Sequence, residues 1–235
     1  MKISINEKLI KRNLRIGQIT SIASLAVLGL GLYLSFQTQI PLAISLSFVC
    51  LILGFVISQV GIYYGNRWGR SPRPDERITT GLKGLGERYT LYHYTTPVPH
   101  LLIGPAGIFV ILPYTVGGTI SYNDKKKRWH QKGGSLYLKI FAQESLGRPD
   151  IEVSAYKEDV EKYLRKKLNL TELPPVQVVI VFTSEKADVQ APDAPTPTLP
   201  ISKLKDYIRK FPKETQLSMD TVKTIQVGLP EPTSE

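Results

Sequence analysis

His93, His100 and His130 are the only three histidines of the chain, and imidazole is the side chain best suited to proton transfer and metal ligation near neutral pH. A lone histidine on a strand is more often structural. A zinc site wants three or four ligands, and spacing alone brings no two of these rings together. Carboxylates that could serve as oxygen ligands for Mg²⁺ include Glu76, Glu87, Asp124 and Glu144. Cys50 is the single cysteine and lies in an apolar stretch, which excludes an intrachain disulfide and a cysteine zinc site. Residues 81–86 are glycine-rich but lack the Gly-Lys-Ser/Thr and the preceding strand of a P-loop. No nucleophile elbow and no zinc-protease motif is present. Residues 124–128 read DKKKR. This is a solvated turn, or else Lys125, Lys126, Lys127 and Arg128 touch an anionic partner, either nucleic acid or lipid headgroups.

The elements that would position these groups follow from periodicity. A short helix is predicted over residues 75–85, with Ile78, Leu82 and Leu85 at helical spacing. Strands are predicted over 88–95, 100–103, 108–112, 119–122, 128–131 and 135–140. Residues 104–107 (GPAG) join the second and third as a hairpin, and their continuous apolar runs suit strands buried on both faces. Val153, Tyr156, Val160, Leu164 and Leu168 mark one face of a long amphipathic helix, whose Lys162–Lys167 side is solvated. Residues 176–182 are a β-branched strand. Residues 185–200 are expected to form a Pro-rich loop, 201–211 a helix, 222–227 a last strand and 229–235 a disordered tail. The order implies an α/β (mixed α+β) fold, with a mixed sheet covered by helices.

Ahead of that domain lies a different kind of sequence. Residues 16–66 contain no Lys, Arg, Asp or Glu. Two apolar runs, about 16–36 and 40–65, are each long enough to cross a bilayer. The polar link Gln37-Thr38-Gln39 and Pro41 between them force an antiparallel hairpin. No small-residue cleavage motif separates the runs, which argues against a removed signal peptide. Ser21, Ala23, Ser24, Gly29 and Gly31 are candidates for close helix packing. Lys2, Lys8, Lys11, Arg12 and Arg15 precede the hairpin, and Arg67, Arg70 and Arg73 follow it. The two flanks hold +7 of the formal +10. The positive-inside rule therefore puts both termini in the cytoplasm, with the three arginines at the anionic headgroups of the plasma membrane. Neither run carries a charge, so ion or proton transport is not expected. The expected parts are a basic N-terminus (1–15), a hairpin (16–66), a linker (67–74), a domain (75–228) and a tail (229–235).

Residues 100–120 read HLLIGPAGIFVILPYTVGGTI, followed by Trp129. This segment resembles the nuclease-related domain (NERD), a branch of the restriction-endonuclease-like superfamily, and the resemblance spans roughly residues 75–185. It implies a restriction-endonuclease-like mixed sheet and a site in which an Asp, a Glu-x-Lys pair, a helical Glu and a Gln hold Mg²⁺. The family's Asp falls at His100, its Glu at Leu112, its Lys at Tyr114 and its Gln near Glu152. Only Glu76 matches the helical Glu. If the alignment holds, Leu112 and Tyr114 lie beside Glu76 and His100.

Leu112 cannot ligate a metal and Tyr114 is neutral at pH 7, so these degenerate positions remove the Mg²⁺ site and the positive charge that phosphodiester cleavage needs. The expectation is a membrane-anchored, non-catalytic binding or scaffold module, with no catalytic residue, no metal and no cofactor. Its partners would be the lipid bilayer and either nucleic acid or a protein. An active Mg²⁺ nuclease with relocated ligands, or a subunit of a membrane complex, are the alternatives.

Overall fold

The computed structural model describes residues 1–37, 39–134, 146–168, 173–212 and 216–232. They divide into two compact units. One is built from Met1–Asn6 together with the chain from Pro74 onward, the other from Glu7–Arg73.

In the first unit the β-branched and aromatic runs form the strands. They are β1 Lys2–Ile5, β2 Thr90–His93, β3 His100–Gly104, β4 Gly107–Tyr114, β5 Gly118–Asn123, β6 Arg128–Lys132, β7 Val176–Phe182, β8 Ala187–Gln190 and β9 Thr198–Pro200. Six make one mixed sheet in the order β1-β2-β3-β4-β7-β9. The pairs β1/β2, β4/β7 and β7/β9 are parallel, and β2/β3 and β3/β4 antiparallel. The central strands are buried along almost their whole length, as continuous apolar runs require when both faces are covered. Gly107, at φ +135°, supplies the backbone conformation that closes the β3–β4 turn without a Cβ clash.

The helices here are α3 Pro74–Gly81, α4 Pro149–Leu168, α5 Ile201–Arg209 and α6 Met219–Val227. On one sheet face, Ile78 and Leu82 from the α3 region and Leu204 and Ile208 from α5 pack with Leu91, Leu102, Phe109 and Ile111. On the other, Val160 and Leu164 of α4 and Val222 and Ile225 of α6 pack with Tyr92, Leu101, Val110 and Val178. Strands β6, β5 and β8 form a second, three-stranded sheet in that order.

Pro113 sits in the middle of the large sheet without breaking it. The β3–β4 pairing ends at Leu101↔Val110, while β4–β7 pairing continues to Tyr114↔Phe182. The Tyr114 carbonyl accepts from Thr183 N–H on the β7 side. The alternation of backbone groups then turns the Pro113 nitrogen toward the side that β3 has already left, where no ladder donor is needed.

Several expectations are corrected. Residues 222–227 are helix, not strand. Val222, Ile225 and Leu229 are buried at spacings of three and four, and Ser218 caps the helix by accepting from Thr221 N–H at 3.1 Å. The expected loop 185–200 contains β8 and β9. The expected tail begins with Leu229, which is buried in the α4/α6 cluster. The N-terminal flank is not merely basic: Lys2–Ile5 is a strand of the large sheet. The helix expected over 75–85 ends at Gly81, and the strand expected over 88–95 is Thr90–His93. The strand expected over 135–140 lies outside the described residues.

The second unit holds two helices long and apolar enough to cross a membrane, α1 Glu7–Ser35 and α2 Pro41–Tyr64. At 1.5 Å per residue they reach about 44 and 36 Å, against a hydrocarbon core of about 30 Å. A π-helical turn, Gly65–Gly69, follows α2. Leu25, Phe36, Leu42 and Phe48 are largely exposed, an outer surface suited to lipid rather than water. The facing surfaces are small: Ser24 and Gly31 of α1 and Ser47, Cys50, Gly54 and Gly61 of α2 are buried. The hydroxyls of Thr20, Ser24, Ser47 and Ser58 donate to carbonyls three or four residues back, so these four enter an apolar medium with their donors satisfied. A Cβ on Gly61 would stand 2.6 Å from Ser21 Oγ and 3.0 Å from its backbone nitrogen. Gly61→Leu is expected to weaken the hairpin by about 1–3 kcal/mol, read as an earlier midpoint in denaturant titration of the micelle-bound chain. Gly29 has nothing near its absent Cβ, so Gly29→Leu should leave that midpoint unmoved.

Candidate functional site

Two of the three histidines meet inside the protein. His93 ends β2 and His100 begins β3, and the antiparallel register sets them directly opposite each other. Their Nδ1 atoms are 2.8 Å apart, and His93 Nε2 is 2.9 Å from Thr79 Oγ1 on α3. Both rings are buried, at 0% and 1% exposure. Two facing Nδ1 atoms need one donor and one acceptor. One ring therefore carries its proton on Nδ1 and the other on Nε2, or the pair shares a single extra proton. Both rings cannot be fully protonated while this contact lasts.

Tyr94 closes the cluster. It is a non-glycine residue at φ +59°, a left-handed conformation that costs of order 1–3 kcal/mol. It is held there by its N–H to the Pro99 carbonyl and by Asn6 Nδ2 donating to its own carbonyl. Its ring stands edge-on to His100 at 5.0 Å, and its hydroxyl makes a long 3.5 Å contact to the buried Asp75 carboxylate. The chemistry that this contact allows is proton exchange between two buried rings. Among the described residues no group of three or more His, Cys, Asp or Glu side chains is placed to hold a metal ion.

The positions picked out by the family resemblance do not converge. His100 and His93 share the face of Leu102 and Leu91, toward α3. Glu76 belongs to α3 and is half-buried. Leu112 and Tyr114 project to the opposite face, where they pack with Val116, Ile120, Ile180 and Phe182. The expectation that they lie beside Glu76 and His100 is therefore corrected. Tyr114 stacks on Phe182 at 5.7 Å. Burial first, and then the neighbouring Glu152 carboxylate, hold its hydroxyl well above the usual phenol range. Glu152 stands beside that hydroxyl without a hydrogen bond of ordinary geometry. On the same face, Tyr92 is pushed up to about 12, chiefly by burial. Trp129 Nε1 donates to Asp150 at 3.0 Å, which fastens the three-stranded sheet to the first turn of α4.

The basic turn lies between β5 and β6. Lys125, Lys126, Lys127 and Arg128 are all exposed, and Lys127 pairs with Asp124 at 2.6 Å. After the hairpin, Arg67 lies 5.7 Å from the Trp68 ring centre and Arg70 is exposed. No family model, no curated protein and no solved structure matches the chain.

Proposed function

We propose that the chain is a membrane-anchored module, facing the cytoplasm, that works by binding an anionic partner and not by metal-dependent phosphodiester cleavage. The observation that carries this is the burial of Leu112 and Tyr114 in an apolar cluster facing away from His100 and α3. A nuclease of the family that the sequence resembles would need a carboxylate and a lysine there, aimed at the same space as its other ligands. The split of these positions between two sheet faces counts against kinship to that family, and the binding-module reading does not require it. The anchoring half is supported by the two long apolar helices. The cytoplasmic placement is supported by the cationic flanks.

Calorimetric titration of Mg²⁺ and Mn²⁺ into the full chain in detergent micelles tests the proposal. The expected result is no saturable site. A single site of micromolar-to-millimolar affinity, abolished by Glu76→Ala, would replace the binding module with a metal-dependent enzyme whose ligands have moved.

A further inference from the structure

The three-stranded sheet has two unlike faces. Ile120, Trp129, Ala187 and Val189 point inward and pack around Leu112, Tyr114 and Phe182. The other face is set by the register Asn123↔Arg128, Ser121↔His130 and Thr119↔Lys132. Arg128, His130 and Lys132 therefore form one row along β6, next to the amide and hydroxyl side chains of β5. All three are exposed. Strand β6 is the edge of its sheet, and Lys125 and Lys126 extend the row into the turn, also exposed. Asp188 is the one carboxylate in the three strands, and Gln190 Nε2 donates to it at 2.6 Å.

A run of lysines in a loop is ordinary. An edge strand with Arg, His and Lys at successive outward positions, backed by hydroxyls, is a flat surface that can meet several phosphates at once. Two observations decide between phosphate sources. The aromatic residues of this sheet, Tyr122 and Trp129, lie on the inward face and contact each other at 5.2 Å. The outer face thus presents no Tyr, Trp or Phe on which bases could stack, only the smaller His130 ring and the Arg128 guanidinium, a weaker platform than single-stranded nucleic acid sites use. The chain also carries its own membrane hairpin, which would keep this face at high local concentration near anionic headgroups.

We propose that the outer face of the three-stranded sheet, with Arg128, His130 and Lys132 and the flanking Lys125 and Lys126, docks onto anionic phospholipid headgroups of the membrane in which the chain is anchored. This rests on the membrane-anchored reading and can fail separately from it.

The test uses the full chain with Cys50→Ser and a fluorophore at Thr119→Cys, in nanodiscs containing nitroxide-headgroup lipid. Quenching is expected to be several-fold stronger in discs with one third phosphatidylserine than in phosphatidylcholine discs. It should fall to the phosphatidylcholine level near 1 M salt, where the screening length shrinks to about 3 Å. Combined Lys125→Ala, Lys126→Ala, Arg128→Ala and Lys132→Ala should remove the difference. The corresponding variant with Arg128→Lys alone should keep it, and equal thermal unfolding of the two variants excludes a folding defect as the cause. Equal quenching in both lipids overturns the proposal, and so does protection of the label by added DNA or RNA in place of phosphatidylserine. Release of the chain from membranes by carbonate would instead overturn the anchored reading.

Discussion

His93→Ala is expected to destabilise the folded domain by about 3–5 kcal/mol, from the lost ring volume and the two hydrogen-bond partners left behind in a dry site. The His93 ring is fully buried and bridges Thr79 and His100. His100→Ala should cost a similar amount. Because both changes remove the same Nδ1–Nδ1 contact, the double variant should cost less than the two together, by about 1–2 kcal/mol. Denaturant unfolding of the four proteins at one pH measures this coupling. Strict additivity would mean that the two rings are energetically independent, and the pair would then cease to be a unit.

The pair illustrates what was legible in the chain. His93 and His100 bracket a six-residue connection, 94–99, between two strands, and residues that face each other across an antiparallel turn share a sheet face. Assigning β2 and β3 as partners would have brought them together. The β3–β4 turn held a second signal. With Gly104↔Gly107 as the closing pair, position 100 falls opposite 111, so 112 and 114 must project to the other face. Apolar runs and their glycine turn made β3, β4 and β7 readable, and helical spacing did so for α4. The unread elements lacked such local signals. β1 has four residues, and its parallel partner lies 88 positions away, at Lys2↔Thr90. β8 and β9 are four and three residues long, within a Pro-rich stretch. In α6 the β-branched Val222, Thr224 and Ile225 weighed toward strand, although the buried positions followed a helical period.

β1 also yields the prediction with the largest effect. A chain shortened by residues 40–66 keeps only α1 as a span, and it should lose its folded domain. Lys2–Ile5 lies before the hairpin in sequence and Thr90–His93 after it, yet they are neighbours in one sheet. Two crossings return the chain to the side it left, whereas one crossing puts the two strands on opposite sides of the bilayer. The domain would then lose the β1 ladder, the Met1 ammonium bond to the Leu85 carbonyl at 3.1 Å and the Asn6 bonds to His93 and Tyr94. At about 1 kcal/mol for each hydrogen bond, that loss approaches the whole stability of an ordinary domain, about 5–15 kcal/mol. Replacing residues 7–73 by a flexible linker removes both crossings and leaves the two strands in one compartment, so this larger deletion should be the milder one. Limited trypsin digestion reads the difference. The one-helix chain should be cut throughout the domain, while the intact and two-helix-deleted chains should share a protected core. Equal protection of the one-helix chain would show that α1 and α2 do not both span. The reverse order of damage expected here, with the smaller deletion worse than the larger, follows only if the hairpin is an insertion within the sheet and not an anchor added in front of it.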